Sequence, residues 1–145
     1  MRAQKSIYVE RPVEGVFWFL ADHTNERRWR SELLGVALIG DVSQGVGAHT
    51  RQTISYQGRI LEVNLEVADF VPNERICFKA HGGVRAHGCF AVRPEGKGTR
   101  VSVSGTAELK GSAAMMERFI MQAVERVAEE DLERLRTVLE SPSRV

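Results

Sequence analysis

The histidines and cysteines are the side chains of this sequence whose chemistry is most specific. Histidine occurs four times, and cysteine twice. No H-x-x-x-H or H-E-x-x-H spacing occurs, and the cysteines are not grouped with the histidines. A bound metal needs several such ligands at one place. The sequence therefore predicts no metal site.

The two cysteines, Cys77 and Cys89, fall opposite each other in the strand register derived below. Two cysteines in a chain of this length make no disulfide framework. They are either two reduced thiols or a cross-strand disulfide that forms reversibly, and both interpretations stay open. No base is placed to make either thiol a nucleophile.

Carboxylates decide whether acid–base catalysis is expected, because it needs a titratable group aimed into a pocket. Glu62 and Glu66 are predicted to point outward, and Asp69 and Glu74 lie beside a turn. The glutamates of the C-terminal segment are predicted to form the solvated side of a helix. The polar side chains predicted to face inward are Thr50, Gln52, Tyr56 and Arg59. This set suits orienting a carbonyl or hydroxyl group better than moving protons.

Composition and charge limit the class of protein to which this chain can belong. The chain has 145 residues, 43% of them hydrophobic and 27% charged, with a net charge of +1. These values are typical of one soluble globular domain, here residues 1–145 with a loose tail over Ser141–Val145. The near-zero charge argues against a nucleic-acid partner. No apolar run is long enough for a membrane span or a signal peptide, so we expect a cytoplasmic location.

The pattern along the chain predicts an α+β domain. A strand over Arg2–Glu10 is followed by Pro12 and a short helix over Val13–Ala21. An irregular segment then leads to a region of period-two alternation, from Ser31 to about Leu109, with turn signals at regular intervals. A helical period returns after Gly111, with Ser112 as N-cap, and runs for about 28 residues until Ser141–Pro142.

Hairpin parity predicts which side chains share a face of the sheet. A two-residue turn at Gln57–Gly58 pairs Tyr56 with Arg59 and separates apolar from polar side chains. A four-residue loop at 70–73 would pair Val67 with Ile76. A three-residue loop at 82–84 pairs Ile76 with Phe90, and the last hairpin pairs Val92 with Val101. The result is one apolar face that only the C-terminal helix is long enough to cover.

A cavity is expected between this face and the helix. A twisted sheet wrapped on one helix leaves a gap that widens toward one end, and Ala80, Ala86, Gly88 and Gly105 would enlarge it. Trp29, Met115, Met116 and Phe119 would lie around its mouth and roof, although aromatic and Met residues at helical spacing also serve as plain core.

Several segments together resemble the START-like (SRPBCC) superfamily with the helix-grip fold, and most closely its polyketide cyclase/dehydrase-like branch. The resemblance covers about Ser6 to Leu139 and is carried by the segments RPVEGVFWFLAD, GVGAHTRQ, FVPNERICFKA and CFAVRPEGKGTRVSV, together with Trp29. It implies a curved antiparallel sheet of about seven strands around a long C-terminal helix, with one or two short helices after the first strand. It also implies a hydrophobic pocket, because aromatase/cyclases, lipid and sterol carriers and hormone receptors of this superfamily share one.

Three functions are consistent with these observations. The first is binding of a small hydrophobic molecule of lipid, polyketide or isoprenoid type, without strong catalysis and without a cofactor. Its predicted ligand-binding residues are Trp29, Gln52, Tyr56, Phe78, Phe90, Met116 and Phe119. The second is a polyketide cyclase/dehydratase, in which Tyr56 or Arg59 polarises a carbonyl and water or His23 moves protons.

The third function is a protein-interaction module, which includes the possibility of a homodimer. It would use a basic stripe on the outer face of the sheet, made by Arg51, Lys79, His81, Arg85 and His87. The competing interpretation is that these side chains, like that of His49, are ordinary solvated positions.

Overall fold

The structure is a computed structural model that describes residues 2–56, 58–81, 85–108 and 117–141. Seven strands and two α-helices, with one short 3₁₀ helix, make up these residues. In chain order they are β1 (Arg2–Val9), α1 (Val13–Ala21), the 3₁₀ helix (His23–Arg28), β2 (Leu33–Ile39), β3 (His49–Tyr56), β4 (Arg59–Val71), β5 (Arg75–His81), β6 (Arg85–Glu95), β7 (Gly98–Glu108) and α2 (Glu117–Glu140). The predicted α+β class is confirmed.

All seven strands form one antiparallel sheet in the order β1-β7-β6-β5-β4-β3-β2. The chain therefore meanders from β2 to β7, and β1 pairs with β7 at the other side. The helices α1 and α2 pack on one face of the sheet. No helix in the described ranges is long and apolar enough to cross a membrane.

The predicted register holds in three of the four hairpins. Tyr56 pairs with Arg59, Ile76 with Phe90, and Val92 with Val101. These hairpins alternate clearly between apolar and polar side chains, so a slip by one residue would bury the polar set.

The predicted pairing of Val67 with Ile76 is wrong. The turn after β4 contains three residues, 72–74, because Val71 already pairs with Arg75. A turn of this length would place β4 residues on the wrong face, but a bulge at Ala68 restores the parity, and Val67 pairs with Phe78. The same side chains therefore face inward, two positions away from the prediction.

The core lies where α1 and the C-terminal half of α2 meet the sheet. Val9, Phe17, Val101 and Leu135 are at most 1% exposed there. Gly98 is required at this place, because a Cβ atom would overlap the carbonyl oxygen of Val9. By contrast, Leu61 at the tip of the β3–β4 hairpin is 45% exposed, so the described helices leave that tip uncovered.

The C-terminal helix ends where it was predicted to end, just before Ser141. Its predicted N-terminal part, from Ser112 to Met116, lies outside the described residues. The predicted loose tail also lies outside them, except for Ser141.

Candidate functional site

A cavity of about 440 Å³ lies between α2 and the sheet. Its walls come from β1, β4, β5, β6, β7, α2 and the segment after the 3₁₀ helix. Most of the side chains that line it are apolar or small: Ala3, Trp29, Leu65, Phe78, Ala80, Ala86, Phe90, Val103, Ala107, Val124, Val127, Ala128 and Leu132. A volume and a lining of this kind fit a small hydrophobic ligand.

The cavity exists because the covering elements differ along the sheet. The helix α1 fills the space beside α2 only over the ends of β6 and β7 near their shared turn. Toward the other ends of these strands, Gly88 pairs with Gly105, and Ala86 with Ala107. Side chains this small do not reach α2, so the space between sheet and helix stays unfilled.

Three of the predicted ligand-binding residues form one aromatic wall. The ring centroids of Phe78 and Phe90 lie 5.4 Å apart, and those of Trp29 and Phe90 lie 5.6 Å apart, both in edge-to-face contact. All three residues line the cavity. The indole nitrogen of Trp29 is buried and has no hydrogen-bond partner within the described ranges.

The other four predicted residues are placed differently. Gln52 is buried, but it is not among the residues that line the cavity. The backbone of Tyr56 belongs to β3 and that of Phe119 to α2, but their side chains lie outside the described part of the structure. Met116 lies outside the described residues altogether.

Gln52 belongs to a buried polar network behind the aromatic wall. Its amide nitrogen donates to Glu26 Oε2 at 3.0 Å, and its Oε1 accepts from Arg30 Nη1 at 2.8 Å. Arg30 Nη1 also donates to Glu26 Oε2, at 3.0 Å. Both ends of the Gln52 amide are thus engaged inside the protein. Arg30, and not Gln52, lines the cavity.

The burial of Glu26 is not predicted from the sequence, because its segment is polar and irregular, typical of a loop with one helical turn. Glu26 is only 5% exposed, because the 3₁₀ helix turns it toward Gln52. Burial raises the pKa of its carboxyl group, and the charge of Arg30 opposes this shift. Glu26 and Arg30 stand four residues apart, and this spacing was the available signal for an ion pair.

Asp131 was also missed, and it corrects the expectation that no carboxylate points inward. It is 8% exposed, lies on α2 and lines the cavity. Its Oδ1 accepts from the backbone N–H of Ser31 at 3.0 Å and from the Ser31 hydroxyl at 2.8 Å. Val127 and Leu135 stand four residues on either side in the apolar stripe, so helical spacing already put Asp131 on the inner face.

The charge of Asp131 also affects the pKa of a second carboxyl group, that of Glu32. The pKa of Glu32 is raised, first by partial burial and then by the charge of Asp131. Arg30 and Asp131 therefore place one guanidinium and one carboxyl group in the cavity wall, whereas Glu26 and Glu32 interact with them without lining the main cavity.

A second, much smaller cavity lies on the other side of the aromatic wall. Its volume is about 30 Å³, and Leu65 and Phe78 border both cavities. A space of this size holds about two water molecules. His23 and Glu26 line it, so His23 does not reach the main cavity.

The outer face of the sheet carries the cysteines and the basic stripe. The structure joins Cys77 and Cys89 by a disulfide, the second of the two interpretations left open. Lys79 Nζ lies 3.2 Å from Glu66 Oε2, so acidic residues interrupt the stripe. The side chains of His81 and Arg85 lie outside the described part of the structure. Across the described ranges, no three His, Cys, Asp or Glu residues converge as a metal site.

Comparisons with known proteins agree with this architecture. The family model for polyketide cyclase/dehydrase and lipid transport matches residues 1–140. A comparison with curated protein sequences found no match.

Solved structures share the fold at low sequence identity. The protein TTHA0849 from Thermus thermophilus aligns with a TM-score of 0.84 and 19% identity, covering 96% of this chain and 97% of that one. The ZhuI aromatase/cyclase from Streptomyces sp. R1128 aligns with a TM-score of 0.82 and 16% identity, covering 97% and 93%. Ara h 8.0201 aligns with a TM-score of 0.75 and 12% identity, covering 98% and 99%. The fold is thus the predicted helix-grip fold, and the chain belongs to the polyketide cyclase/dehydrase and lipid transport family.

Proposed function

We propose that this protein binds a small hydrophobic molecule of lipid, polyketide or isoprenoid type in the main cavity, without strong catalysis. The observation that carries the proposal is a cavity of about 440 Å³ whose walls are mostly apolar. Removing apolar surface from water contributes about 25 cal/mol per Å². The residues proposed to contact the ligand are Trp29, Phe78 and Phe90, with Tyr56, Met116 and Phe119 retained from the sequence prediction.

Two alanines of β6 allow a matched test of this proposal. Ala86 lines the cavity, whereas Ala91 lies on the opposite face of the same strand. Native mass spectrometry of the protein purified without added lipid should detect a co-purifying hydrophobic molecule. We expect Ala86→Leu to lose it and Ala91→Leu to keep it. An empty wild-type protein that also fails to bind apolar probes would contradict the proposal.

A cyclase or dehydratase activity is the second candidate, because Arg30 and Asp131 place ionisable groups in the cavity wall. Arg59 and His23, which the sequence predicts to polarise a carbonyl and to move protons, have less support. Arg59 is exposed on the β3–β4 hairpin, and His23 borders only the small cavity. Turnover of an aromatic polyketide surrogate that Asp131→Asn abolishes would favour this candidate over simple binding.

The remaining partner predictions stay predictions. An interaction surface on the outer face would have to tolerate the ion pair between Lys79 and Glu66. A homodimer, the absence of a nucleic-acid partner and a cytoplasmic location rest on the sequence argument alone.

A further inference from the structure

Two charged side chains, Arg30 and Asp131, line the main cavity where the segment after the 3₁₀ helix meets α2. Lys5 also lines the cavity, but its ammonium group lies 2.7 Å from Glu129 Oε1. They come from different elements: Arg30 follows the 3₁₀ helix, and Asp131 lies on α2. Ser31 connects them, since it is the chain neighbour of Arg30 and donates both its N–H and its hydroxyl to Asp131 Oδ1. The link holds Asp131 against the chain segment that carries Arg30.

Both groups keep hydrogen-bonding capacity after their internal contacts are counted. Glu26 and Gln52 both use Nη1 of Arg30. Within the described ranges, Nε and Nη2 of Arg30 make no hydrogen bond, and neither does Oδ2 of Asp131. A guanidinium can only donate hydrogen bonds, and a carboxylate can only accept them. The cavity wall therefore offers both a charged donor and a charged acceptor.

We propose that Arg30 and Asp131 form a subsite for a hydroxyl group, so that the ligand is an apolar alcohol or phenol. This inference rests on the proposed function of the cavity and adds the chemical class of the ligand. A hydroxyl is the smallest group that donates to a carboxylate and accepts from a guanidinium at once. Hydrogen bonds to charged partners are also the stronger ones.

The charges around the subsite disfavour the other classes of ligand. A carboxylate on the ligand would face Asp131, and the positive charge of Arg30 is already shared with Glu26. An amine would face Arg30. A pure hydrocarbon would displace water from both charged groups without replacing its hydrogen bonds, which is costly.

Three probes of the same size and ring system separate these classes: 2-naphthol, 2-naphthoate and 2-methylnaphthalene. At pH 7 the phenolic hydroxyl is neutral, whereas the carboxyl group of 2-naphthoate is ionised. Isothermal titration calorimetry with the full chain measures each affinity. We expect 2-naphthol to bind about tenfold more tightly than either of the other two.

Two variants on α2 test whether Asp131 causes the preference for 2-naphthol. Asp131→Asn removes the charged acceptor and the repulsion of 2-naphthoate. We expect it to narrow the preference for 2-naphthol over 2-naphthoate by about tenfold. Glu130→Gln removes the same charge from the neighbouring exposed residue, which does not line the cavity, and should leave the preference unchanged. Circular dichroism checks that both variants fold.

The outcomes distinguish this inference from the proposal on which it rests. Equal affinity for the three probes, or tightest binding of 2-naphthoate, would overturn the hydroxyl subsite while supporting a ligand-binding cavity. An equal narrowing in both variants would assign the preference to the general charge of α2 and would also overturn the subsite. If the wild-type protein binds none of the probes, both the subsite and the proposed function fail.

Discussion

The two ends of the space between sheet and helices are built differently, although the same strands β6 and β7 run through both. At the packed end, the side chains are at most 1% exposed. This end comprises Val9, Phe17, Val101 and Leu135. At the open end, which is the main cavity, the wall formed by these strands includes Gly88, Gly105 and Ala86.

The difference shows that the cavity is encoded by side-chain volume and by the short length of α1. Protein interiors are otherwise packed as densely as organic crystals. An unfilled space of this size removes dispersion contacts that the packed end keeps. The packed end therefore contributes more to the stability of the fold than the open end does. The open end instead leaves a space that a ligand can occupy.

The largest expected effect comes from removing one ring at each end. Phe17→Ala at the packed end should lower the free energy of unfolding by about 3–5 kcal/mol, because the cavity left behind stays unfilled. Phe90→Ala at the open end should cost clearly less, because one side of this ring already borders empty space. Urea denaturation measures both. Equal losses would contradict the distinction between the two ends.

The disulfide should compensate in part for the missing packing at the open end. Cys77 and Cys89 join β5 to β6 on the outer face, next to Phe78 and Phe90 in the chain. Replacing both cysteines by serine should lower the free energy of unfolding by about 2–4 kcal/mol. A dithiol reductant should have the same effect on the wild-type protein and none on the double variant. A wild-type protein that is insensitive to the reductant would show that the bond contributes little.

Two glycines of β7 extend the comparison to single methyl groups. At the packed end, Gly98→Ala forces a Cβ atom onto the carbonyl oxygen of Val9 and should cost about 1–3 kcal/mol. At the open end, a Cβ atom at Gly105 would lie 3.5 Å from the carbonyl oxygen of His87, which is ordinary contact. Gly105→Ala should therefore stabilise the protein, by about 0.4–1 kcal/mol. Thermal unfolding of the two variants should shift in opposite directions, and a shift in the same direction would contradict the argument.

The sequence predicted the sheet better than it predicted the polar side of the site. Alternation of apolar and polar residues determines the β3–β4 register, since a slip would bury Glu62 and Glu66. The bulge at Ala68 is not visible in this pattern, so the turn after β4 was misplaced. The aromatic wall could be predicted, because Phe78 and Phe90 follow from strand parity.

Glu26 and Asp131 were missed for a different reason. Each is a charged residue in a buried position, which composition and polarity alone assign to the surface. Their burial depends on partners far away in the chain: Gln52 for Glu26, and Ser31 for Asp131. Hydrogen bonds between distant segments are set by the tertiary fold and cannot be derived from local sequence. The spacing of Glu26 and Arg30 indicates only an ion pair, and the helical spacing of Asp131 indicates only its face, so neither identifies the partner.

The smallest expected effect concerns Glu26, which lies behind the aromatic wall that separates the two cavities. Burial raises the pKa of this carboxyl group in the folded protein, so the folded state holds the proton more tightly than the unfolded chain does. Its contribution to stability is then complete below the ordinary pKa of a glutamate and is lost as the pH rises through the raised value. Arg30 offsets part of the burial, which keeps the effect small.

Glu26→Gln isolates this contribution, because the amide keeps an acceptor for Arg30 but does not titrate. The stability of the wild-type protein relative to Glu26→Gln should therefore decrease as the pH rises from 4 to 7. Urea denaturation of both proteins across this range gives the difference directly. A difference that grows in favour of the wild-type protein would mean that the attraction to Arg30 outweighs burial. In that case the carboxylate would be ionised throughout, and the charge of Arg30 at the cavity wall would be fully compensated.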